Sequence, residues 1–391
     1  MSNPWIRQVK HQDPTTDINV GSPTLVKLDN GELLAAHDYQ GKGIYRQLES
    51  DRYTTSVYRS DDNGLTWKLT ADLQGSIWAT LFVNRGSVYL LGTSSDYGSI
   101  VIRRSEDGGS TWTIPADEGS GLLFRGGYEY GPPNYHHSPN NVLQFEGRLY
   151  TAYENDDPFD WPAGFRAFVL SADEDSNLLK ASNWLKSNEV PFPKNDPREV
   201  DGWLEGNIVV DVDGLPCSVL RLQPELGGEE YFSGETRYAI DKAAFLKIEK
   251  RGRKLVNDPE RSFVDLPGGM SKFTIRRDHG RRYWTIANDM TTGPPRVHRN
   301  ILALYSSPDL STWTRHGALM EDRLEKTPEE SARKTGFQYA DWQFDGDDII
   351  YVVRTAYDGA ANYHDANRIT FGRVIDFRVL SHTGERWHPE E

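Results

Sequence analysis

The feature of the sequence that most limits its fold is a hairpin pattern that recurs six times. Each copy has an apolar or alternating run, a turn that contains glycine, and a second apolar run, which is typical of a tight β-hairpin. The copies begin near residues 22, 78, 138, 205, 271 and 340 of the 391-residue chain. Their turn glycines are Gly31, Gly86, Gly147, Gly214, Gly280 and Gly346. Self-similarity at this spacing predicts a repeat architecture.

The spacing of the six copies predicts a propeller. Successive turn glycines are separated by 55 to 67 residues, which is too long for one hairpin and fits a four-stranded unit with its loops. We therefore predict an all-β fold, a six-bladed β-propeller in which residues 1–391 form a single domain. A propeller also protects its sheet edges, because each blade packs on its neighbours. Two segments with a helical pattern predict short helices on loops, residues 236–248 and 322–334.

A second repeated feature is the motif Ser-x-Asp-x-Gly-x-Thr-Trp, which occurs at residues 60–67 and again at 105–112. We predict that it forms the turn between the third and fourth strands of a blade. In the first copy, Ser60 and Asp62 would bind their own backbone, Gly64 would take a positive φ, and Trp67 would pack between strands. Degenerate copies of the motif end at residues 313 and 184. The acids of this motif are therefore expected to be structural and not catalytic.

The composition excludes several classes of protein. A formal net charge of −14 would repel phosphate backbones, so nucleic acid is not expected as a partner. No stretch approaches the roughly 20 apolar residues of a membrane-spanning helix, and the N-terminus lacks the apolar run of a signal peptide. The single Cys217 excludes a disulfide framework, which predicts a cytoplasmic location.

The composition also indicates a class of ligand. The chain has 11 Trp, 19 Tyr and 35 Gly, a profile that suits short strands, tight turns and a surface on which sugars stack. We therefore expect a carbohydrate partner. We expect no cofactor and favour no metal, and the sequence does not indicate the oligomeric state.

Two copies of the Asp motif on a six-fold hairpin repeat resemble the sialidase superfamily of Asp-box, or BNR-repeat, propellers. The resemblance covers nearly the whole chain. It implies an exo-glycosidase that hydrolyses a terminal, possibly acidic, sugar with a Tyr nucleophile, a Glu base, an Asp acid/base and three arginines on the sugar carboxylate. Arginine suits this task because its planar fork binds carboxylate bidentately. A neutral Tyr suits it because a second carboxylate would be repelled by an anionic sugar.

The resemblance assigns roles to individual positions. Glu205 heads the inner strand of the fourth blade, and Arg221 ends the next strand. Arg299 lies upstream of a worn Asp motif, and Tyr339 opens the last blade. These four positions correspond to the base, the second and third arginines, and the nucleophile. We expect their side chains to meet around one axial pocket.

The remaining two family positions are the acid/base and the first arginine. Asp51, in a loop before the first Asp motif, is the expected acid/base, and Asp38 fits the same loop. The first arginine of the family is absent, since Gly21 stands in its place. Without this arginine, a neutral sugar is as plausible a substrate as an acidic one. Three cations are candidates to replace it: Lys272, His137 and Arg52.

A cluster of Tyr and His at residues 128–141 offers a second chemistry. His137 with a neighbouring Tyr would support β-elimination on a uronic acid, as a His and a Tyr can exchange protons near neutral pH. Propeller polysaccharide lyases resemble this arrangement. The alternative is a pocket wall, in which His136 forms hydrogen bonds and Tyr135 stacks on a sugar. A third possibility for the whole chain is a non-catalytic glycan-binding propeller.

Two further segments are expected to line the pocket. Arg354, His364 and Asp365 lie on one loop of the last blade and are predicted to close a wall, with an acid/base or metal pair as the alternative for His364 and Asp365. Trp203 is predicted to stack on a sugar in preference to Trp161, because Trp203 lies two residues from Glu205.

Overall fold

The structure is a computed structural model that describes residues 6–46, 53–127, 130–193, 200–224, 241–289, 298–324, 327–381 and 385–386. In these ranges the chain forms six antiparallel sheets arranged in a ring. The fold is a six-bladed β-propeller, as predicted from the hairpin repeat.

Each blade is built from consecutive strands of the chain, apart from one outer strand in each of blades five and six. Blade one has β2 (Asn19–Val20), β3 (Thr24–Lys27), β4 (Leu33–Gln40), β5 (Thr54–Ser60) and β6 (Lys68–Gln74). Blade two has β7 (Ile77–Asn84), β8 (Ser87–Thr93), β9 (Ile100–Ser105) and β10 (Leu122–Phe124). Blade three has β11 (Tyr135–His136), β12 (Leu143–Phe145), β13 (Arg148–Asp156), β14 (Phe165–Asp173), β15 (Trp184–Lys186) and β16 (Val190–Pro191).

The second half of the chain repeats this order. Blade four has β17 (Val200–Val210), β18 (Pro216–Pro224), β19 (Lys242–Glu249), β20 (Lys254–Asn257) and β21 (Phe263–Asp265). Blade five has β22 (Thr274–Arg277), β23 (Tyr283–Asn288), β24 (Ile301–Ser307), β25 (Thr314–Glu321) and β29 (Glu385–Arg386). Blade six has β26 (Gly336–Asp345), β27 (Asp348–Ala356), β28 (Arg368–Val374) and β1 (Arg7–His11).

The ring is closed by the start of the chain, because β1 pairs antiparallel with β28 and so forms the outer strand of blade six. The core lies between neighbouring blades. One cluster joins blades three and four, with Val169 and Trp203 among its buried members. Another joins blades five and six, with Trp284 and Trp342. This packing leaves the axis of the ring for polar side chains.

Helix is scarce. The predicted helix near residue 330 is present as α1 (Pro328–Lys334), where the Thr327 side chain accepts a hydrogen bond from the Glu330 backbone N–H. A second helix, α2, spans Phe377–Ser381. Short 3₁₀ turns lie at Pro14–Thr16, Lys42–Arg46, Ala181–Asn183 and Lys250–Gly252. No helix in the described ranges has the length and apolar character needed to cross a membrane.

The prediction of a helix over residues 236–248 is wrong for the described part of this segment, because residues 242–248 lie in strand β19. This strand pairs with β18 on one side and with β20 and β21 on the other. Its residues Ala243, Ala244, Phe245 and Leu246 are all buried. A strand covered on both faces has a continuous apolar run instead of an alternating one, and such a run is easily mistaken for a helix.

The turns with the Asp motif have the structure predicted for them. After β5, the Asp62 carboxylate accepts from the Thr66 N–H at 2.9 Å and from the Thr66 hydroxyl at 2.6 Å. Ser60 Oγ accepts from the Gly64 N–H at 2.8 Å, and Gly64 has φ +85°. Trp67 Nε1 donates to the Gly64 carbonyl at 3.1 Å. The turn after β9 repeats these bonds with Asp107 in place of Asp62.

Candidate active site

The inner strands of blades two, four and six begin with the same irregularity. Each has a shift of register close to its start, which is a β-bulge. At the bulges Trp78, Glu205 and Tyr339 have φ of 49°, 58° and 55°. Residues other than glycine seldom adopt positive φ, and bulges of this kind change the direction of a side chain. The three bulges therefore orient one side chain from every second blade.

A polar side chain of the preceding blade supports each bulge. Asp38 Oδ2 accepts a hydrogen bond from the Trp78 backbone N–H at 2.6 Å. Asn140 Nδ2 donates to the Glu205 carbonyl at 3.1 Å and to the following carbonyl at 2.9 Å. Asn288 Nδ2 donates to the carbonyl two residues before the bulge of blade six at 2.8 Å. These bonds compensate for the backbone strain at the three positions.

Three of the four residues expected to meet at the axis are in direct contact. Tyr339 Oη donates a hydrogen bond to Glu205 Oε1 at 2.6 Å. Arg221 Nη1 donates to Glu205 Oε2 at 2.9 Å and lies 3.4 Å from Tyr339 Oη. Arg221 is fixed by further donation to the Met270 carbonyl and the Gln223 side chain. The structure thus brings together a phenol, a carboxylate and a guanidinium from blades four and six.

The protonation states of this group follow from its charges. Burial alone would raise the pKa of Glu205, but the Arg221 charge and the hydrogen bonds from Tyr339 and Arg221 outweigh it, so the pKa lies below its usual value. Glu205 is therefore ionised at neutral pH. Burial, and next the Glu205 charge, raise the pKa of Tyr339 to about 12. The pair is accordingly a neutral phenol hydrogen-bonded to a carboxylate base.

Two more arginines surround the Tyr339 ring. The Arg299 and Arg354 guanidinium carbons lie 5.8 and 5.2 Å from the ring centroid. Arg299 is also hydrogen-bonded to Gln338. Arg299 therefore joins the predicted axial group, and three cations face any negative charge that develops on the Tyr339 oxygen.

The loop after β27 lies beside these arginines and carries His364 and Asp365, whereas Arg354 lies in strand β27 itself and not on the loop where it was predicted. Arg354 donates to the His364 carbonyl at 2.6 Å, and His364 Nδ1 lies 3.0 Å from Asp365 Oδ1. Burial, followed by the Arg354 charge, lowers the pKa of His364 to about 4, so this imidazole is neutral at pH 7. The hydrogen bond from His364 lowers the pKa of Asp365.

A second group of polar residues lies on the other side of the site. His136 Nδ1 lies 2.9 Å from Glu154 Oε2, and Glu154 Oε1 accepts from the Gly206 backbone N–H at 3.0 Å, next to Glu205. His136 packs 4.8 Å from the Trp78 indole. His136 thus contacts Glu154 and Trp78 beside the site, and Glu154 was not identified from the sequence.

An aromatic wall extends outward from Trp78. We use this name for Trp78, Tyr97, Tyr130 and Phe159. Trp78 and Tyr97 are 5.5 Å apart, Tyr97 and Phe159 are 4.9 Å apart, and Tyr130 and Phe159 are 4.9 Å apart, measured between ring centroids. Tyr130 is 53% exposed and Phe159 is 47% exposed. Exposed aromatic faces next to a cluster of polar side chains are typical of a surface that binds an amphipathic ligand.

Several residues predicted for the pocket lie elsewhere. Trp203 is fully buried and packs on Phe192 between blades three and four, so it is not available to a sugar. Tyr135 is buried between blades two and three, where its ring packs on Phe168. The Lys272 ammonium is buried and donates to the Ala340 carbonyl at 3.0 Å, and burial lowers its pKa to about 8.

His137 is not positioned to act as a base. One ring nitrogen lies 2.9 Å from the Ala152 carbonyl and the other 3.0 Å from Thr80 Oγ1. The ring is stacked on Tyr153 at 4.3 Å and is buried. Burial lowers the pKa of His137 to about 3. Its side chain therefore belongs to the core beneath the site.

The acid/base prediction, Asp51, lies outside the described residues, as does Arg52. The alternative, Asp38, is at the end of β4 and is buried. Burial raises the pKa of Asp38 to about 6, although the backbone N–H groups of Trp78 and Ser22 oppose the rise. Asp38 therefore lies at the site, beside the bulge of blade two.

Comparisons with known proteins agree with the fold. No family model matches the chain, and the search of curated proteins gives no match. The α-L-arabinanase of Penicillium chrysogenum, solved with arabinobiose, is 16% identical, with 95% of this chain and 98% of that chain covered and a TM-score of 0.56. The Fusarium graminearum α-L-arabinofuranosidase, also solved with arabinobiose, is 13% identical, with coverage of 94% and 97% and a TM-score of 0.56.

A sialidase is also among the similar structures. The Trypanosoma rangeli sialidase is 15% identical, with 98% of this chain and 58% of that chain covered and a TM-score of 0.56. At these identities the similarity establishes the fold alone. The resemblance to sialidase-type propellers is thus confirmed at the level of architecture.

Proposed function

We propose that the protein is a retaining exo-glycosidase with Tyr339 as nucleophile and Glu205 as its base. The observation that carries this proposal is the 2.6 Å hydrogen bond from Tyr339 Oη to Glu205 Oε1. A nucleophile within hydrogen-bond reach of a base that a third group orients is the general signature of covalent catalysis. Arg221 is that third group, since it binds Glu205 at 2.9 Å.

The proposed reaction has two steps. First, the Tyr339 oxygen attacks the anomeric carbon, Glu205 takes the phenol proton, and the glycosidic bond breaks as a carboxylic acid protonates the leaving oxygen. Water then attacks the anomeric carbon and gives a proton to that acid's carboxylate, while Glu205 returns its proton to the departing Tyr339 oxygen. Two inversions give retention of configuration. Asp51 remains the sequence-based candidate for the acid.

The arginines explain how a phenol with a raised pKa can react. When the proton moves to Glu205, negative charge develops on Tyr339 Oη, which lies 3.4 Å from Arg221 Nη1. Arg299 and Arg354 lie within 6 Å of the same ring. Fixed cations aimed at a developing charge in a water-poor site are a major source of catalysis.

The aromatic wall supports an oligosaccharide as the substrate. It begins at Trp78, which packs on His136, and continues to exposed rings at Tyr130 and Phe159. Such a surface provides contacts for sugar units beyond the one that is cleaved. The two similar fungal enzymes solved with arabinobiose are consistent with this class of substrate. The lyase alternative has no comparable support, because His137 is enclosed in the core.

The test is a screen of 4-nitrophenyl glycosides and oligosaccharides with the wild type and Tyr339→Phe. We expect the wild type to hydrolyse at least one glycoside, and the variant to lose about 10³-fold in kcat. Tyr89→Phe is a matched control, because Tyr89 is buried between blades two and three. Unchanged turnover by Tyr339→Phe would refute the nucleophile. Release of an ultraviolet-absorbing unsaturated uronate would instead indicate a lyase.

A further inference from the structure

We propose that this site selects a neutral sugar, because the Asp38 carboxylate occupies the place where a sialidase-like site would present its first arginine. The inference rests on the proposed function and specifies its class of substrate.

Gly21 and Asp38 are packed so closely that no side chain fits at position 21. The Gly21 N–H donates to the Asp38 carbonyl at 2.6 Å, and Asp38 Oδ1 accepts from the Ser22 N–H at 2.8 Å. A Cβ added at Gly21 would lie 1.7 Å from Asp38 Oδ1 and 2.9 Å from its Cγ. An arginine here is therefore incompatible with Asp38, and a negative group stands where a positive one was expected.

The arginines that are present bind acceptors of the protein itself. Arg221 donates from all three of its nitrogens, to Glu205, Gln223 and the Met270 carbonyl. Arg354 donates to the His364 carbonyl. A sugar carboxylate would have to compete with these partners. It would also approach the negative charge of Asp38, which disfavours it.

A neutral sugar meets a more suitable set of groups. Its hydroxyls are hydrogen-bond donors, and each Asp38 carboxylate oxygen, which accepts from one backbone N–H, has a second lone pair that can accept from a hydroxyl. Asp38 in particular is oriented by two backbone N–H groups, so it needs no rearrangement to accept from a hydroxyl. Hydrogen bonds from a hydroxyl to a fixed carboxylate favour a sugar that can form them over one that cannot.

The kinetic test compares neutral and acidic 4-nitrophenyl glycosides, including a glucuronide and a sialoside, at pH 7.5. We expect kcat/KM for the best neutral glycoside to exceed that for every acidic one by about a hundredfold. Asp38→Asn should reduce this ratio about tenfold, chiefly by raising KM for the neutral sugar. Gly21→Ala should act in the same direction, because it displaces the carboxylate without removing its charge. Asp29→Asn, in the exposed turn of the same hairpin, should leave the ratio unchanged.

A binding experiment separates failure of this inference from failure of the proposed function. Isothermal titration of wild type and Tyr339→Phe with neutral monosaccharides, glucuronic acid and N-acetylneuraminic acid requires no catalysis and no folded Asp38 variant. Binding of a neutral sugar at least tenfold tighter than either acid supports the inference, even if no glycoside is hydrolysed. Equal or tighter binding of an acid, or no binding of any neutral sugar, would overturn it. Hydrolysis that persists in Tyr339→Phe would refute only the mechanism.

Discussion

Two carboxylates of this protein, Asp62 and Glu205, both have a lowered pKa, but the groups that lower it are local in one case and distant in the other. Asp62 is bound by Thr66, four residues along the same turn. Glu205 is bound by Arg221 and Tyr339, which are 16 and 134 residues away. The first carboxylate shapes its own backbone, whereas the second joins side chains from two blades. A carboxylate with distant partners at the axis is therefore the better candidate for chemistry.

The same contrast applies to two tryptophans. Trp67 closes the Asp62 turn through a hydrogen bond to Gly64 and lies 5.4 Å from Phe371. Trp78 instead begins the aromatic wall from a bulge with φ 49°. Substitutions at Asp62 and Trp67 should therefore change stability, whereas substitutions at Glu205 and Trp78 should change activity.

Glu205→Gln tests the axial carboxylate and should have the largest effect. The amide keeps an oxygen that can accept a hydrogen bond but cannot take the phenol proton, so we expect kcat to fall by about 10²- to 10⁴-fold. Steady-state kinetics measure this fall, and circular dichroism checks the fold. A kcat within tenfold of wild type would show that Glu205 is only a structural partner of Arg221.

Trp78→Ala tests the aromatic wall. Loss of the indole should raise KM for an oligosaccharide about tenfold and change kcat less, because stacking contributes to binding before and during the reaction. The matched variant Trp67→Ala should leave KM unchanged and lower the melting temperature. Equal effects of the two variants on KM would remove the distinction between the two tryptophans.

Asp62→Ala tests the local carboxylate. It removes the two hydrogen bonds to Thr66, so we expect the free energy of unfolding to fall by about 1 to 2 kcal/mol with kcat/KM unchanged. Chemical denaturation and the glycoside assay measure these two quantities. A loss of turnover without a loss of stability would mean that the turn contributes to the site.

Acid should reduce the contribution of Asp62 to stability. The hydroxyl and N–H of Thr66 lower its pKa from 3.8 to about 2. A depressed folded-state pKa stabilises the fold fully above the unfolded value and ceases to do so as pH falls through the folded value. The stability difference between wild type and Asp62→Ala should thus shrink between pH 4 and pH 2. A difference that stays constant would contradict the assignment of the shift to Thr66.

Much of the fold was predictable because the sequence patterns that specify it lie within single repeats. The hairpins and the Asp62 turn depend on residues within one repeat, and α1 depends on its own cap at Thr327. Strand β19 was not predictable in this way, since its four successive buried residues reflect neighbours on both sides. Contacts between blades override local preference there.

The site was predictable only where the resemblance supplied positions. Trp203 and Glu205 would share a face of a regular strand, but the bulge after residue 204 and the positive φ of Glu205 separate them. Trp203 consequently packs between blades while Glu205 reaches the axis. A signal for Trp78 was present, because alignment of the six hairpins gives it the same repeat position as Glu205.

The most direct test of the mechanism is to trap the glycosyl–enzyme intermediate. The protein would be incubated with a fluorinated glycosyl fluoride of a sugar identified in the glycoside screen, and the labelled peptide would be identified by mass spectrometry. We expect a single glycosyl adduct on Tyr339, absent in Tyr339→Phe and much slower to form in Glu205→Gln. An adduct on Glu205, or on another carboxylate, would contradict it.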